Sequence, residues 1–428
     1  MKKIDGRKLK KKFKLISKNG SKNAKMKEFM NYSRLPINQL SEILIAIMNE
    51  APKYPINWRN FLFFASFFII AVIGVPIYIY TNGLNLFDVL FFLFWTFASG
   101  MGITIGYHRL FAHKTFKSHP FVVFLGLFFG AAAFEESALE WASQHRDHHK
   151  YVDTEKDPYN IMQGFWYAHI GWIIFRNHSI NYENVKDLQM NKMIIHQDKY
   201  YVWWALTAGV ILPLLIGALM GHALSALLIG VFGRVTFVHH GTFLINSACH
   251  YFGPKTYNAR SSARDNWIAA LFTYGEGYHS FHHRFPSDYR NGHKWYHWDP
   301  SKWLISALSH FGLTSDLKQV SKFNILAARL IAEKELAENY LKNHSENLST
   351  TALNALKSRY EHLKDILNTW EYKVREYATL AGQLSNKSDD LLRSAFEQVQ
   401  ATRRQFISVR EQWVQYIQKP SLLCLVQS

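Results

Sequence analysis

Hydrophobic residues are concentrated in four blocks, each about as long as a membrane-spanning helix, and the one Lys, Arg, Asp or Glu within them is Arg234 in the fourth. The blocks cover about residues 61–80, 89–107, 201–220 and 223–245. Because a helix needs about 20 apolar residues to cross the hydrocarbon core, this pattern predicts four spans. A further apolar run, residues 121–140, carries three glutamates toward its end. It is predicted to be a helix that does not cross the membrane but lies at the interface or under the rest of the chain.

Basic residues are concentrated before the first block. Residues 1–59 hold fifteen Lys or Arg against four Asp or Glu, whereas the short loops 81–88 and 221–222 hold no Lys or Arg. By the positive-inside rule, both termini are predicted to be cytoplasmic and these loops external. The net charge of +17 could also indicate nucleic acid. Beside a membrane span, however, the basic segment favours an anionic lipid surface, and no nucleic-acid partner is predicted.

The last quarter of the chain has a different apolar pattern. From Leu356 to Tyr377, apolar residues recur in steps of three and four, the seam of a coiled coil. A polar stretch at 382–390 suits a turn, and a second stripe ends before Pro420. The pattern predicts a soluble helical hairpin that packs within itself or forms a homo-oligomer. The predicted domains are a basic segment 1–54, a membrane domain 55–320 and a helical extension 321–428.

Nine of the 21 histidines occur in four compact motifs near the ends of the predicted spans or beyond them. The motifs are His108 with His113, His145 with His148 and His149, Asn246 with His250, and His279 with His282 and His283. Residues three and four apart share one face of a helix, so each HxxHH motif can direct three imidazoles to one region. His108 and His113 are five apart. Either the helix ends or distorts between them, or they serve different metal ions.

Nine imidazoles exceed the coordination sphere of one ion, so two ions are predicted. Imidazole suits zinc, copper, iron and nickel. A structural zinc site is closed by about four ligands, often cysteines, and the chain has two cysteines. A redox-active di-iron centre is therefore favoured. Lone histidines such as His169, His239 and His310 are interpreted as structural.

The order and content of these motifs resemble the membrane fatty-acid desaturases of the stearoyl-CoA Δ9 type, in their bacterial form. The likeness extends from about Pro55 to Leu317 and includes NSACH at 246–250, GEGYHSFHH at 275–283 and DTEKDPYN at 153–160. It implies an all-α integral membrane protein with four transmembrane helices under a cytosolic helical cap. In that cap, two iron ions are held by the nine histidines, and Asn246 reaches one iron through a water.

The resemblance also implies the reaction and the location. The family uses O2 and two electrons to remove two adjacent hydrogens from a saturated acyl chain, which gives a cis double bond. The implied location is a bacterial inner membrane.

Four residues are implied as substrate contacts. On the family pattern, Trp141 and Thr242 line the bend of an acyl tunnel, and Glu135 stands where a glutamine is familiar. Arg176 keeps one charged headgroup position of the family. Asp153, Asp157 and Asn160, in the DTEKDPYN run, are expected to orient histidines or loop amides, with simple turn chemistry as the alternative.

Three other headgroup positions have lost their charge. The family's animal acyl-CoA desaturases carry charged residues where this chain has Ser143, Gln144 and Asn177. Charged groups are the strong binders of phosphate. The departure predicts that an acyl-lipid or acyl-carrier substrate is accepted as well as, or in place of, acyl-CoA.

Electrons are predicted to come from a separate protein. The sequence shows no HPGG haem segment, no GxGxxG and no cysteine cluster. A donor of the ferredoxin or cytochrome b5 type, with its reductase, is implied. Three alternatives stay open: a membrane di-iron hydroxylase or monooxygenase of alkyl or acyl chains, a metal transporter, and a non-catalytic metal-binding or scaffold protein. Transport sites usually lie near the midplane of the bilayer, whereas these histidines lie at or beyond the ends of the spans.

Overall fold

Helices make up almost all of the regular structure in the computed structural model of the protein, which describes residues 55–175, 180–344, 350–383 and 389–418. The predicted basic segment 1–54 and Arg176 lie outside the described residues. In chain order the longer helices are α1 (Trp58–Asn82), α2 (Leu86–Ala112), α3 (Pro120–Ala131), α4 (Ala138–Tyr151), α5 (Lys192–Lys199), α6 (Tyr201–Leu219), α7 (Ala223–Tyr251), α8 (Trp267–Phe272), α9 (His279–Arg284), α10 (Pro300–His310), α11 (Lys322–His344), α12 (Thr350–Gln383) and α13 (Asp389–Gln418). The short strands β1 (Lys117–Ser118) and β2 (Thr314–Ser315) pair antiparallel. The predicted all-α fold is confirmed.

Four helices are long and apolar enough to cross a membrane, namely α1, α2, α6 and α7. They match the four predicted blocks and make the chain a multi-pass integral membrane protein. Helices α2 and α7 have 27 and 29 residues. At about 1.5 Å per residue, they are longer than the ~30 Å hydrocarbon core. Their excess length lies at the ends that carry the histidine motifs, so these two helices position the site.

The short apolar helix α3 packs antiparallel to the second half of α2. A Cβ on Gly106 would lie 2.8 Å from Cα of Gly126, and one on Gly102 would lie 2.2 Å from the backbone N of Gly130. Only glycine allows two helix backbones to approach this closely. With 12 residues, α3 is too short to span, as predicted. It lies alongside α2 because these glycines let the two backbones touch.

A buried arginine joins α3, α6 and α7. Arg234 is fully buried within α7, and its guanidinium donates to three backbone carbonyls. They belong to Gly230, to Gly209 at 2.7 Å and to Ala132, the residue that follows α3. The last carbonyls of a helix have no partner within the helix, and they attract cations. Arg234 therefore satisfies the end of α3. No role was predicted for Arg234 from the sequence.

The C-terminal helices form a three-helix unit. Leu356, Leu363 and Trp370 are buried along α12, as the heptad spacing predicted, and α13 packs against them. The predicted hairpin is thus present, but α11 joins it as a third helix. Glu333 of α11 accepts hydrogen bonds from Arg410 (2.5 Å) and from the indole of Trp413 (2.9 Å), both on α13.

Helix α11 also links this unit to a histidine motif. Ile325, near its start, packs in one apolar cluster with Tyr257 and Phe281, and Phe281 lies between His279 and His282 in the sequence. The C-terminal extension is therefore anchored beside the fourth histidine motif, which contains His279, His282 and His283. Its domain boundary at residue 321 stays a prediction.

Truncation of one core leucine should loosen the C-terminal unit. Leu363 is 0% exposed, so Leu363→Ala is expected to lower the free energy of unfolding of this unit by about 2–5 kcal/mol. Hydrogen exchange of the α12 and α13 amides measures the change. The neighbouring His362→Ala, at an exposed position, is the matched control and should leave the exchange unchanged. Equal protection in both variants would contradict the assigned core.

Candidate metal centre

The nine motif histidines lie in two adjacent groups. Within each group, one candidate ligand atom per residue lies within 4.8 Å of the others. The first histidine group is His108, His113, His145, His149 and His282, and the second histidine group is His148, His250, His279 and His283. All nine predicted histidines are thus brought together. Histidines interpreted as structural, such as His169 and His239, belong to neither group.

A π-helical segment explains the five-residue spacing of the first motif. Residues Gly102–Ala112 form a π-helix at the end of α2, and the N–H of His113 donates to the carbonyl of His108 at 3.0 Å. Hydrogen bonds between residues five apart define the wider turn of this helix, a form that is frequent at functional sites. Residues five apart then share a face, and the two imidazole centroids lie 4.8 Å apart. The helix distorts, and both histidines belong to the first group.

Each HxxHH motif is divided between the two groups. A helix turns about 100° per residue, so positions i and i+4 lie about 40° apart, whereas position i+3 lies on the other side of i. The first and last histidines of each motif therefore face one group, and the middle histidine faces the other. On α4, His145 and His149 face the first group and His148 the second; on α9, His279 and His283 face the second and His282 the first. The spacing alone had suggested that one motif serves one region.

All nine imidazoles present Nε2 to another Nε2. The Nε2–Nε2 distances range from 2.8 Å for His113 and His145 to 3.2 Å for His148 and His283. A neutral imidazole has one donor and one acceptor nitrogen. Two Nε2 atoms that face each other can share one proton at most. Several of the nine Nε2 atoms therefore carry a free lone pair. Such a set of donor atoms suits cations.

Three of the histidines contact an oxygen through their other nitrogen. Nδ1 of His108 lies 2.9 Å from Oε2 of Glu276, and Nδ1 of His148 lies 2.8 Å from Oδ1 of Asp157. Nδ1 of His250 lies 2.6 Å from the hydroxyl of Ser262. A partner at Nδ1 fixes the tautomer and leaves the Nε2 lone pair for a metal. The expected role of Asp157 in orienting a histidine is confirmed by this contact.

A buried ion cluster holds Glu276 in place. Arg109 donates to Oε1 of Glu276 at 2.9 Å and to Oδ1 of Asp299 at 3.0 Å, and Asn291 donates to Oε2 of Glu276. Burial raises the pKa of Glu276, but the adjacent His108 and Arg109 outweigh it, so the pKa lies below its usual value. Sequence reasoning missed this cluster. The available signal was the position of Arg109 directly after His108.

Burial favours the neutral form of six of the histidines outside the spans. Removal from water, and then the neighbouring imidazoles and cations, lower the pKa of these side chains well below the usual value: His113, His145, His149, His279, His282 and His283. Neutral imidazole is the form that binds metal ions. Protonation, burial and geometry therefore agree on metal binding.

A cavity of about 530 Å³ reaches both groups and is lined largely by apolar and aromatic side chains. Trp141, Thr242 and Glu135, three of the predicted substrate contacts, line it together with His108 and His279. Largely apolar cavities with a few polar groups are typical ligand sites. The volume is ample for the chain of a long fatty acid.

The two uncharged headgroup positions before His145 differ in orientation. Ser143 is fully buried and donates to the carbonyl of Asn181 at 2.7 Å. Gln144 lines the cavity and donates to the carboxylate of Glu136. Ser143 therefore does not line the cavity, whereas Gln144 does.

Loss of the carboxylate behind His148 should weaken metal binding. Asp157→Asn is expected to lower metal affinity about 10–100-fold, because the imidazole loses the partner that orients it. Metal content after dialysis against graded chelator measures the effect. Glu155→Gln, at an exposed position in the same loop, is the matched control and should retain the wild-type affinity. Wild-type metal affinity in Asp157→Asn would contradict the role assigned to Asp157 in orienting His148.

Comparisons with known proteins agree with this geometry. The family model described as fatty acid desaturase matches residues 86–310. Acyl-CoA desaturase 1 of Saccharomyces cerevisiae is 37% identical over 306 residues, which cover 69% of this chain and 59% of that protein. A probable acyl-CoA desaturase of Schizosaccharomyces pombe is 40% identical over 266 residues, or 61% of this chain and 54% of that protein. The stearoyl-CoA desaturase of Homo sapiens is 34% identical over 285 residues, which cover 65% of this chain and 78% of that protein.

The extent of these matches defines what they establish. The chain spans 59% and 54% of the two fungal relatives, so its overlap with them is less than two thirds of their length. The family match, in contrast, extends over more than half of this chain and contains all nine histidines of the two groups. The chain therefore belongs to the fatty acid desaturase family.

Proposed function

We propose that this protein is an O2-dependent acyl desaturase that inserts a cis double bond, at Δ9, into a saturated acyl chain. The observation that carries the proposal is the convergence of nine imidazole Nε2 atoms, in two groups, beside one largely apolar cavity. The relatives described above are named acyl-CoA or stearoyl-CoA desaturases. Their names support both the reaction and the bond position.

The donor set fits two iron ions. It consists of nitrogen ligands, which suit iron, and carboxylates behind His108 and His148 hold the ligand tautomer. The first histidine group would hold one ion, and the second would hold the other. Asn246, one helical turn before His250 and lining the same cavity, would contribute through a water. When bound, the iron pair supplies the dioxygen chemistry that an unactivated methylene requires.

The residues of the cavity would position the acyl chain. The indole of Trp141 stacks on His145 with centroids 4.8 Å apart and donates to Glu135 at 3.2 Å. The hydroxyl of Thr242 donates to the same carboxyl at 2.7 Å. These contacts join side chains of α4, α7 and the loop between α3 and α4 into a fixed polar group beside the first histidine group. An acyl chain that passes it is held with two adjacent methylenes next to the metal ligands.

A CoA thioester is the substrate class that we propose. This proposal is supported by the names of the relatives, which are an acyl-CoA desaturase and a stearoyl-CoA desaturase. An acyl-lipid or acyl-carrier chain is the alternative, and it rests on the uncharged Ser143, Gln144 and Asn177. The carboxylates of Glu136 and Glu140 also line the cavity and would repel a phosphate-rich headgroup that approached them closely.

We further propose a cytosolic cap that receives electrons from a separate acidic protein of the ferredoxin or cytochrome b5 type. Three cations, Lys114, Lys150 and Arg284, directly follow histidines of the two groups and are exposed. Opposite charge accelerates the encounter of two proteins. The bacterial form of the family, the inner-membrane location and the homo-oligomer remain proposals from the sequence. The relatives compared above are fungal and animal.

Expression of the full chain in cells that lack their own desaturase tests the function. We expect monounsaturated fatty acids with the double bond at Δ9, measured by mass spectrometry of derivatised lipids. His282→Ala and His283→Ala should abolish the product while the protein stays in the membrane, and His310→Ala, outside both groups, should retain it. Elemental analysis and Mössbauer spectra of the purified protein should give two irons per chain. Hydroxylated chains as the main product would favour the hydroxylase alternative, and stoichiometric zinc in active protein would contradict the iron centre.

The headgroup preference is tested on the same preparation. We expect a higher rate of desaturation with stearoyl-CoA than with stearoyl chains esterified in phospholipid, both presented in the same lipid nanodiscs with the donor in excess. Product formed per minute measures the preference. A faster reaction on the phospholipid would replace the CoA thioester by an acyl-lipid substrate.

A further inference from the structure

One carboxyl group lies where an apolar chain must pass. Glu135 lines the cavity between α3 and α4, and its two oxygens accept the hydrogen bonds from Thr242 and Trp141. The side chain is partly accessible, because the open space of the cavity reaches it. Water in the empty cavity can therefore hydrate the carboxyl, and a bound chain would displace that water.

The backbone holds Glu135 in this position. Its neighbours Phe134 and Glu136 both have left-handed backbone angles, with φ of 58° and 72°, which residues other than glycine rarely adopt. The N–H of Glu136 donates to the hydroxyl of Tyr201 at 3.0 Å, and His239 donates to the carbonyl of Ala133 at 2.7 Å. The loop is thus fixed on both sides of Glu135. With the backbone fixed, the carboxyl can turn away from the cavity only by losing the hydrogen bonds from Thr242 and Trp141.

The charges around Glu135 offer little compensation for an ionised carboxylate. The titratable and charged groups that face it are Arg59 of α1, Tyr107 of α2, Glu136 of the same loop, Glu140 of α4 and Tyr201 of α6, with Glu276 and the histidine groups beyond them. Among the described residues that line the cavity, Arg59 is the one Lys or Arg. Three of the facing groups are themselves carboxyls.

Before substrate binds, the protonated and the ionised forms of Glu135 are similarly populated near neutral pH. Burial raises the pKa of Glu135 to about 7, with a further increase from Glu136, while the hydrogen bonds from Thr242 and Trp141 lower it. Methylenes packed against the carboxyl would remove its remaining water. Loss of hydration always favours the neutral form of a carboxyl.

We propose that Glu135 is a positioning residue that must be protonated when the acyl chain fills the cavity, so that substrate binding takes up one proton. This inference rests on the proposed function. The neutral acid can still accept from Trp141, and its O–H can donate to the hydroxyl of Thr242 after that hydroxyl rotates. The polar group beside the metal ligands thus stays intact without a net charge in the apolar cavity.

The sign of the pH dependence follows from this scheme. Below about pH 7 the carboxyl is already neutral, so substrate affinity does not change with pH. Above about pH 7 a proton must be taken up on binding, and KM should rise about tenfold per pH unit. The value of kcat should stay constant, because bound substrate holds the carboxyl in its neutral form. Glu135→Gln is neutral at every pH and keeps both hydrogen-bonding functions of the neutral acid.

Steady-state kinetics of the full chain in nanodiscs test the inference. KM and kcat for stearoyl-CoA are measured between about pH 6 and pH 9 for the wild type, for Glu135→Gln and for Glu155→Gln, an exposed control. We expect KM to rise about tenfold per unit above pH 7 in the wild type and the control, and to stay flat in Glu135→Gln. A KM that rises equally in all three proteins, or in none, overturns the proposal.

A measurement on the wild type covers the case in which Glu135→Gln does not fold. Infrared difference spectra at about pH 8, before and after addition of stearoyl-CoA, should show the band of a protonated carboxyl growing. No growth of that band overturns the proposal. The two hypotheses fail separately: absence of any desaturated product at every pH contradicts the proposed function, whereas product with a pH-independent KM contradicts the proton uptake alone.

Discussion

Nine imidazoles must stay neutral and point their Nε2 atoms at two small volumes near the ends of membrane helices. Each must be withdrawn from water, because a protonated imidazole repels a metal ion, and each must be held, because a free imidazole rotates. Withdrawal comes from α4, which packs on the end of α2, and from α9, which packs on α7. Fixation comes from the oxygens of Glu276, Asp157 and Ser262 at Nδ1. The rest of the structure serves these two requirements.

The two requirements explain the lengths and shapes of the helices. Helices α2 and α7 continue past the predicted apolar blocks, which places His108 and His250 on rigid supports where polar partners are available. Helix α3 fills the space beside α2 through glycine contacts, and Arg234 satisfies the carbonyls where α3 ends. The loop that follows α3 then carries Glu135 into the cavity. The packing of the membrane helices therefore also determines the geometry of the site.

Patterns that repeat along the chain could be predicted from the sequence. The four spans follow from apolar blocks of the required length with a single Lys or Arg among them, and the buried Leu356, Leu363 and Trp370 follow from heptad spacing. The metal-binding role of the nine histidines could be predicted because such motifs rarely occur together by chance. These features depend on local composition and periodicity, which one sequence displays directly.

Features that depend on contacts between distant segments could not be predicted. The sequence left open whether His108 and His113 share a metal, because helix type is decided by packing against α3 and the cap. It gave no sign that Arg109 contacts Asp299, 190 positions away, or that Ser143 donates to the carbonyl of Asn181 and does not line the cavity. The packing of α11 as a third helix was also not predicted. Its apolar residues are divided between the core of α12 and α13 and the cluster around Tyr257 and Phe281, so they show no simple repeat.

The π-helical end of α2 has a consequence for how this region can change. Removal of a single residue between Gly102 and Tyr107 would let the segment wind as an ordinary α-helix, and His108 and His113, still five residues apart, would then lie about 140° apart around the helix. His113 would then leave the first histidine group although no histidine had been replaced. Residue count in this segment is thus as strict a requirement as residue identity. Insertions and deletions here should be more damaging than most substitutions, and the length of the segment is itself part of the metal centre.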